Sequence, residues 1–515
     1  MSEYNTKSSN KADLISHLQE KYGLFSPDSI IIIISLFVVG LILFKITTPI
    51  PTGADPGNWL YISHQMGKMN DWFVPPYPPL TPLFLKIFEF IWGTLLGLKI
   101  FGLFSLVFLG FSTYFLIKPL KMPLLIIPAS ISIIFIEYNM EIFSWGGYPQ
   151  LLASGFAILS MISFNYFIIN PTRMKAISTA LLISLVINSS ILVSVFLIIS
   201  LMISLIIQFF TLKIELLAII KKYSLYFLFS LLILSLSAMQ SMILTFQQSE
   251  LPLGVQGFQN IFGVLNYVFS SNKIFWILLC AISIITMLVS SDRYVTQLKI
   301  IFTSILLSSL ILMTVLNEPR FGSFLQFGII LIPLILIRQI KNINYFRNKN
   351  LNKIISPILM LIITVIFVIN IKNGIDHYNE ASIYYKVVDE STIKDLEWIK
   401  DNININAIIA CQSYNIHGDD VPLGWWVEGY SERRTLVGSD PKWMSFSVEK
   451  NNALLVKVLF DNSVKVEDKI STMKTHNISY LIIDTRNNYV FDNIQKNAYF
   501  KEVYSNQIRI YMLNN

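Results

Sequence analysis

The sequence predicts a polytopic α-helical membrane protein of about eleven transmembrane helices, followed by an extracytoplasmic C-terminal α/β domain. Three observations carry this reading. Of the 515 residues, 54% are hydrophobic and 14% charged, with a mean hydropathy of +0.58; a soluble globular chain carries roughly a quarter charged residues. Apolar runs long enough to cross the hydrocarbon layer as helices recur from Ile30 to Ile371. Beyond Lys372 the composition turns polar abruptly.

The expected spans are 29–47, 98–117, 122–138, 149–169, 175–188, 191–211, 223–246, 274–290, 299–316, 321–338 and 354–371. Residues 1–28 are polar and helix-prone, with no short apolar core ending in a small-residue cleavage site. The first span therefore reads as an uncleaved signal anchor. The stretch Leu80–Leu98 opens on prolines, and Lys86 and Glu89 interrupt its apolar face, so it reads as a helix lying in the interface. The predominantly apolar stretches 175–188 and 191–211, thirty-five residues together, exceed one crossing, and a tight reversal at Asn188-Ser189-Ser190 divides them.

Charge sets the orientation. From Lys372 onward there are 16 Lys/Arg against 19 Asp/Glu, so the tail contributes −3 to the net +7 and the membrane half carries +10, in short loops. With a cytoplasmic N-terminus, seventeen Lys/Arg fall in cytoplasmic segments and only Lys68, Lys86, Lys273 and Arg320 in the outer loops before the tail. This is the pattern of a plasma-membrane protein with a long first outer loop, 48–97, and its tail outside. It is not the basic stripe of a nucleic-acid binder. Cys280 lies in an apolar run and Cys411 in the tail, with neither a CxxC pair nor a zinc-ligand spacing.

Residues 372–515 read as a small domain. "STIKDLEWIKDN" is an amphipathic helix and "AIIACQ" a buried strand. "VEDKISTMKTHNISYLIIDTRN" is helix then strand, and "YFKEVYSNQIRIYML" alternates as strand.

Polar groups gather in the outer loops. The first loop carries Asp55, Asn58, Trp59, Tyr61, His64, Asp71, Trp72 and Tyr77. Within "GADPGNW", Asp55 before Pro56 has the form of a helix N-cap, a role compatible with acid–base chemistry. Glu137 and Glu141 lie four apart, so on a helix they share a face and call for a cation, a metal or water. Trp145-Gly146-Gly147-Tyr148-Pro149 follows, either an aromatic platform with close backbone approach or a turn into the next helix. Arg320 stands at the outer end of a span, where an anion such as phosphate suits its fork; Glu318 and lipid headgroups are the competing partners. Glu250 reads as ordinary loop polarity.

In this order the features resemble the GT-C superfamily of membrane glycosyltransferases over residues 29–371: an aspartate after the first span (Asp55), "YPPL" at Tyr77–Leu80, an acidic segment after the third span (Glu137–Glu141), and an arginine at the outer end of a late span (Arg320). The tail segment around "GWWVEGYSERRTLVGSDP" is similar to that of oligosaccharyltransferase catalytic subunits. It departs from their Trp-Trp-Asp-Tyr-Gly motif at Val427 and carries an insertion containing "NIHGDD". Trp425 and Trp426 are thus expected to pack the tail onto the membrane face.

The resemblance implies transfer of a sugar from a polyprenyl-phosphate-linked donor (dolichyl or undecaprenyl) to a glycan, lipid or protein acceptor. Asp55 would be the base, and Arg320 would meet the leaving phosphate. Glu137, Glu141, Tyr77, Trp145, Tyr148 and His64 would contribute to substrate binding. The resemblance implies no definite cofactor; a divalent metal shared by Asp55 with Glu137 or Glu141 is the weaker expectation, since no metal-ligand spacing supports it. A non-catalytic glycan-binding scaffold of the same superfamily and a transporter of lipid-linked saccharides remain as alternatives; the near absence of charge within the spans speaks against the transporter.

Overall fold

The computed structural model describes residues 27–515 apart from 67–74, 213–215, 249–262, 264, 267–268, 270–272, 289–292, 317, 341–348, 417–418, 441–443, 487–491, 496 and 515. The expectations for the N-terminal segment before Pro27, for Asp71 and Trp72, for Glu250 and for His417-Gly418 of the insertion lie outside the described residues.

The membrane half runs α1 (Pro27–Ile46), α2 (Asp55–Gln65), α3 (Leu80–Trp92), α4 (Thr94–Ile117), α5 (Pro123–Ile134), α6 (Glu137–Trp145), α7 (Tyr148–Ile169), α8 (Arg173–Ile187), α9 (Ile191–Leu212), α10 (Leu216–Gln248), α11 (Lys273–Leu288), α12 (Arg293–Val315), α13 (Gly322–Leu331), α14 (Pro333–Ile340) and α15 (Lys349–Tyr384). Among the described residues nine helical stretches are long and apolar enough to cross a membrane. The count of eleven is not confirmed: α8 and α11, at 15 and 16 residues, fall short of the roughly 17–25 residues of a full crossing. The last helix continues through Lys372 to Tyr384, well past the point where composition changes.

Burial sorts the helices. Pro319–Gln339 is 89% buried at the centre of the bundle, whereas Lys221–Ser241 is only 11% buried. The latter presents Leu225, Phe229, Leu232 and Leu236 outward, where lipid tails are the matching solvent. Helix α3 has 13 residues, too few to cross, and leaves Phe90 and Ile91 exposed, as an interfacial helix would. It folds back on α4 through Gly93, whose positive φ of 78° permits the break. The reversal at Asn188–Ser190 is present. Asn188 Nδ2 donates to Ser184 O (2.8 Å) and Leu234 O (3.0 Å), and Leu80 N donates to Asn188 O (2.8 Å), anchoring the start of α3.

The C-terminal unit comprises α16 (Glu390–Asn402), β1 (Ile408–Cys411), β2 (Tyr414–Ile416), β3 (Asp419–Val421), α17 (Gly424–Ser431), β4 (Arg434–Val437), α18 (Ser447–Phe460), α19 (Val466–Thr475), β5 (Ile478–Asp484), α20 (Asp492–Gln495), β6 (Phe500–Ser505) and β7 (Ile508–Leu513). The main sheet has the order β4-β1-β5-β7-β6, parallel across β4, β1 and β5 and antiparallel beyond. Asp389 caps α16 by accepting from Thr392 N at 2.9 Å.

The two halves meet where α17 crosses α2, and small residues make that crossing possible. A Cβ on Gly57 would lie 2.7 Å from Trp426 N, and one on Gly429 would collide with Gly57 O. Trp426, fully buried, donates from Nε1 to Gly53 O at 2.8 Å. The two tryptophans thus dock the tail, as expected from sequence. Gly429→Ala should therefore cost about 1–3 kcal/mol, as overpacked core positions do. It should lower the thermal midpoint of the purified protein by several degrees. Leu454→Ala, on the exposed face of α18, should stay within about 0.5 kcal/mol of wild type. Equal shifts in the two variants would contradict this crossing.

Candidate functional site

Asp55 is the first residue of α2, not its cap. The N-cap position is Ala54, in helical geometry and without a side-chain cap bond, and Pro56 occupies the first turn. The cap expected from the Asp-Pro order is therefore not formed, because the chain already turns helical at Ala54. Asp55 makes no hydrogen bond among the described residues. Burial pushes its carboxyl up to about 6 from the model-compound value of 3.8, while the Arg320 guanidinium pulls in the opposite direction.

Two clamps hold the loop that presents Asp55. From the membrane half, Trp59 Nε1 donates to Gly146 O (2.7 Å) and Thr52 Oγ1 to Ser144 O (2.5 Å). Gly146 has φ 96° and lies against Pro56, and Gly53 abuts the Trp145 carbonyl. From the tail come Trp426 and the α2–α17 crossing described above. The segment following Glu141 is thus both the turn into α7 and the wall behind Asp55.

Arg320 lies on a 3-10 turn, Pro319–Phe321, leading into α13. Glu318 Oε1 accepts from Arg320 N at 3.2 Å and faces its Nε at 3.4 Å, which fixes the root of the side chain. The guanidinium stacks over Trp145, 5.2 Å from the ring centroid. Neither terminal guanidinium nitrogen is hydrogen-bonded among the described residues, and the side chain keeps 42% of its surface accessible. A free fork of this kind fits phosphate oxygens.

Tyr77 joins Asp55 and Arg320. Its hydroxyl bonds Ser190, its ring lies 4.7 Å from that of Trp59, and burial with the nearby Asp55 charge raises the phenol well above its usual range. Glu141, one turn along α6 from buried Glu137, accepts from Tyr385 OH (3.1 Å) and pairs with His377 Nε2 (3.4 Å). The expected relief of the acidic pair is thus a histidine. Tyr385 in turn lies within electrostatic range of Arg320.

Tyr148 is buried against Phe101 and Phe143, within electrostatic range of Asp55. One expected site residue, His64, stands apart. His64 sits two and a half turns along α2, paired with Glu89 Oε1 at 2.9 Å, tying α2 to α3. Among the described residues no three His, Cys, Asp or Glu side chains converge on a metal position. Glu141 is already engaged, and Asp55 faces a cation.

No protein-family model matches the sequence, and no curated protein matches it. Solved structures match in shape. ArnT from Cupriavidus metallidurans, bound to undecaprenyl phosphate, aligns over 93% of this chain and 97% of its own at TM-score 0.60 and 9% identity. Its apo form aligns over 94% and 98% at TM-score 0.51 and 10% identity. The Archaeoglobus fulgidus oligosaccharyltransferase in complex with Zn and sulfate aligns over 87% of this chain and 68% of its own, at TM-score 0.51 and 11% identity.

The chain shares the fold of these structures. Within this frame, Asp55, Tyr77, Trp145 and Arg320 come together from four separate segments, with Glu141 reaching them through Tyr385.

Since Arg320 lowers the Asp55 pKa, its removal should raise it. In Arg320→Gln, carbodiimide labelling at Asp55, which needs the protonated acid, should persist to higher pH than in wild type. An unchanged or lower midpoint, read by mass spectrometry, would contradict the coupling.

Proposed function

We propose that this integral membrane protein is a glycosyltransferase. It moves a sugar from a polyprenyl-phosphate-linked donor to an acceptor hydroxyl, with the tail on the extracytoplasmic side. The observation that carries the reading is the juxtaposition, in a GT-C fold, of an aspartate of raised pKa with an arginine whose fork is open. The undecaprenyl phosphate of the ArnT structure agrees in chemical class with such an arginine.

The reaction forms a bond from the acceptor oxygen to the anomeric carbon. It breaks the bond from that carbon to the phosphate oxygen, which leaves with the electron pair. The acceptor proton passes to Asp55, and a carboxylate with pKa about 6 is both ionised near neutrality and more basic than an exposed one. Arg320 stabilises charge that grows on the departing phosphate, in a site held in place before reaction. The Trp145 ring supports the guanidinium at 5.2 Å, and Glu318 restricts its root.

The test is sugar transfer from a radiolabelled polyprenyl-phosphate donor by purified protein in detergent. Asp55→Asn should lose about 10²–10⁴-fold in kcat, the usual range for a general base. Arg320→Gln should lose about 10²–10³-fold. Wild-type rate should fall tenfold per unit as pH drops below about 6, because only the ionised Asp55 accepts a proton. Full activity in Asp55→Asn would leave the non-catalytic reading standing.

A further inference from the structure

A cavity of about 470 Å³ opens between α2 and the C-terminal sheet, within the roughly 300–1,000 Å³ of small-molecule sites. Asn58, Tyr61, Trp425, Glu428, Thr435 and Glu449 supply its aromatic and polar groups, and Leu436, Val437, Val448 and Leu455 its apolar wall. None of these polar residues belongs to the Asp55–Arg320 constellation. Yet Asn58 is one helical turn from Asp55, where Cβ atoms lie roughly 5–6 Å apart, so the cavity adjoins the base.

Two buried polar atoms in the wall lack partners among the described residues. Thr435 is 2% exposed and its Oγ1 is unsatisfied; Asn58 Oδ1 is likewise buried and unpaired. Leaving such groups unbonded is costly unless a ligand meets them. The described wall holds two carboxylates and no lysine or arginine, so it does not suit the donor phosphate. Glu449 uses Oε2 to accept from Ser445 N and Phe446 N, each at 3.2 Å, which orients its carboxylate.

We propose that this cavity is the acceptor subsite and takes one or two neutral or amino-bearing sugar units. The inference rests on the transfer reading above, naming its acceptor as a saccharide. Carboxylates and amides together accept from and donate to adjacent hydroxyls, while the faces of Trp425 and Tyr61 suit the apolar C–H face of a sugar ring. The cavity runs along β4, the edge strand of the sheet, so an extended peptide is the obvious rival. That rival is disfavoured because Glu428 Oε1 already accepts from Thr435 N at 3.3 Å, withdrawing an edge donor from any added strand.

Saturation-transfer NMR on the full chain in detergent tests the subsite without requiring turnover. The probes are the methyl glycosides of glucose, galactose, mannose and N-acetylglucosamine, with a serine-containing hexapeptide as the rival. At least one glycoside should bind. Thr435→Val, which keeps the volume, and Glu428→Gln should each weaken it about tenfold, with unchanged thermal midpoints certifying the fold. Asp55→Asn should retain binding, so loss of transfer and loss of the subsite are read separately. Absence of binding by all four glycosides, binding indifferent to both variants, or binding of the peptide alone would overturn the proposal.

Discussion

Everything at the site depends on the closeness with which backbone meets backbone around "GADPGNW". Gly53 lies against the Trp145 carbonyl, Gly57 against the Trp425–Trp426 backbone, and Gly429 against Gly57. Side chains at any of these points would push the tail or the α6–α7 turn away from α2. Two indole donors then lock the contacts, one from each direction: Trp59 onto Gly146 and Trp426 onto Gly53. The loop bearing Asp55 is consequently held by rigid neighbours. The base role proposed for Asp55 requires such a carboxylate, positioned before its substrate arrives.

Charge at the site is divided rather than pooled. Arg320 is the open cation, rooted by Glu318 and stacked on Trp145, whereas Glu141 is absorbed by His377 and Tyr385. Asp55 faces a cation, and Asn58, one helical turn further on, lines the cavity walled by Glu428 and Glu449. Burial makes each of these charges count for more than it would in water, which is why one arginine restrains the rise in the Asp55 pKa.

The order of the long helices was readable because a 20-residue apolar run has few alternatives in lipid. The tail's alternating strands were readable because their period is local. What failed was local too: Asp-Pro suggested a cap, but the chain enters the helix one residue early, at Ala54. At α8 and α11 the apolar runs are themselves short, so composition alone does not decide whether they cross. His377 and Tyr385 were missed because α15 runs on past the apolar run that advertised it, carrying His377 and ending just before Tyr385. The cavity was invisible for a deeper reason. Asn58 and Glu428 are 370 residues apart in sequence, and only the glycine crossing of α2 and α17 brings them to one wall.

The pairing of Asp55 and Arg320 about one donor phosphate is the central claim, and a cryo-EM structure of the full chain with undecaprenyl phosphate tests it most directly. The phosphate should lie within hydrogen-bond reach of the terminal guanidinium nitrogens of Arg320, roughly 2.7–2.9 Å. Asp55 should face the same space with the "GADPGNW" loop unmoved. A phosphate bound elsewhere, with the Arg320 fork still empty, would contradict it.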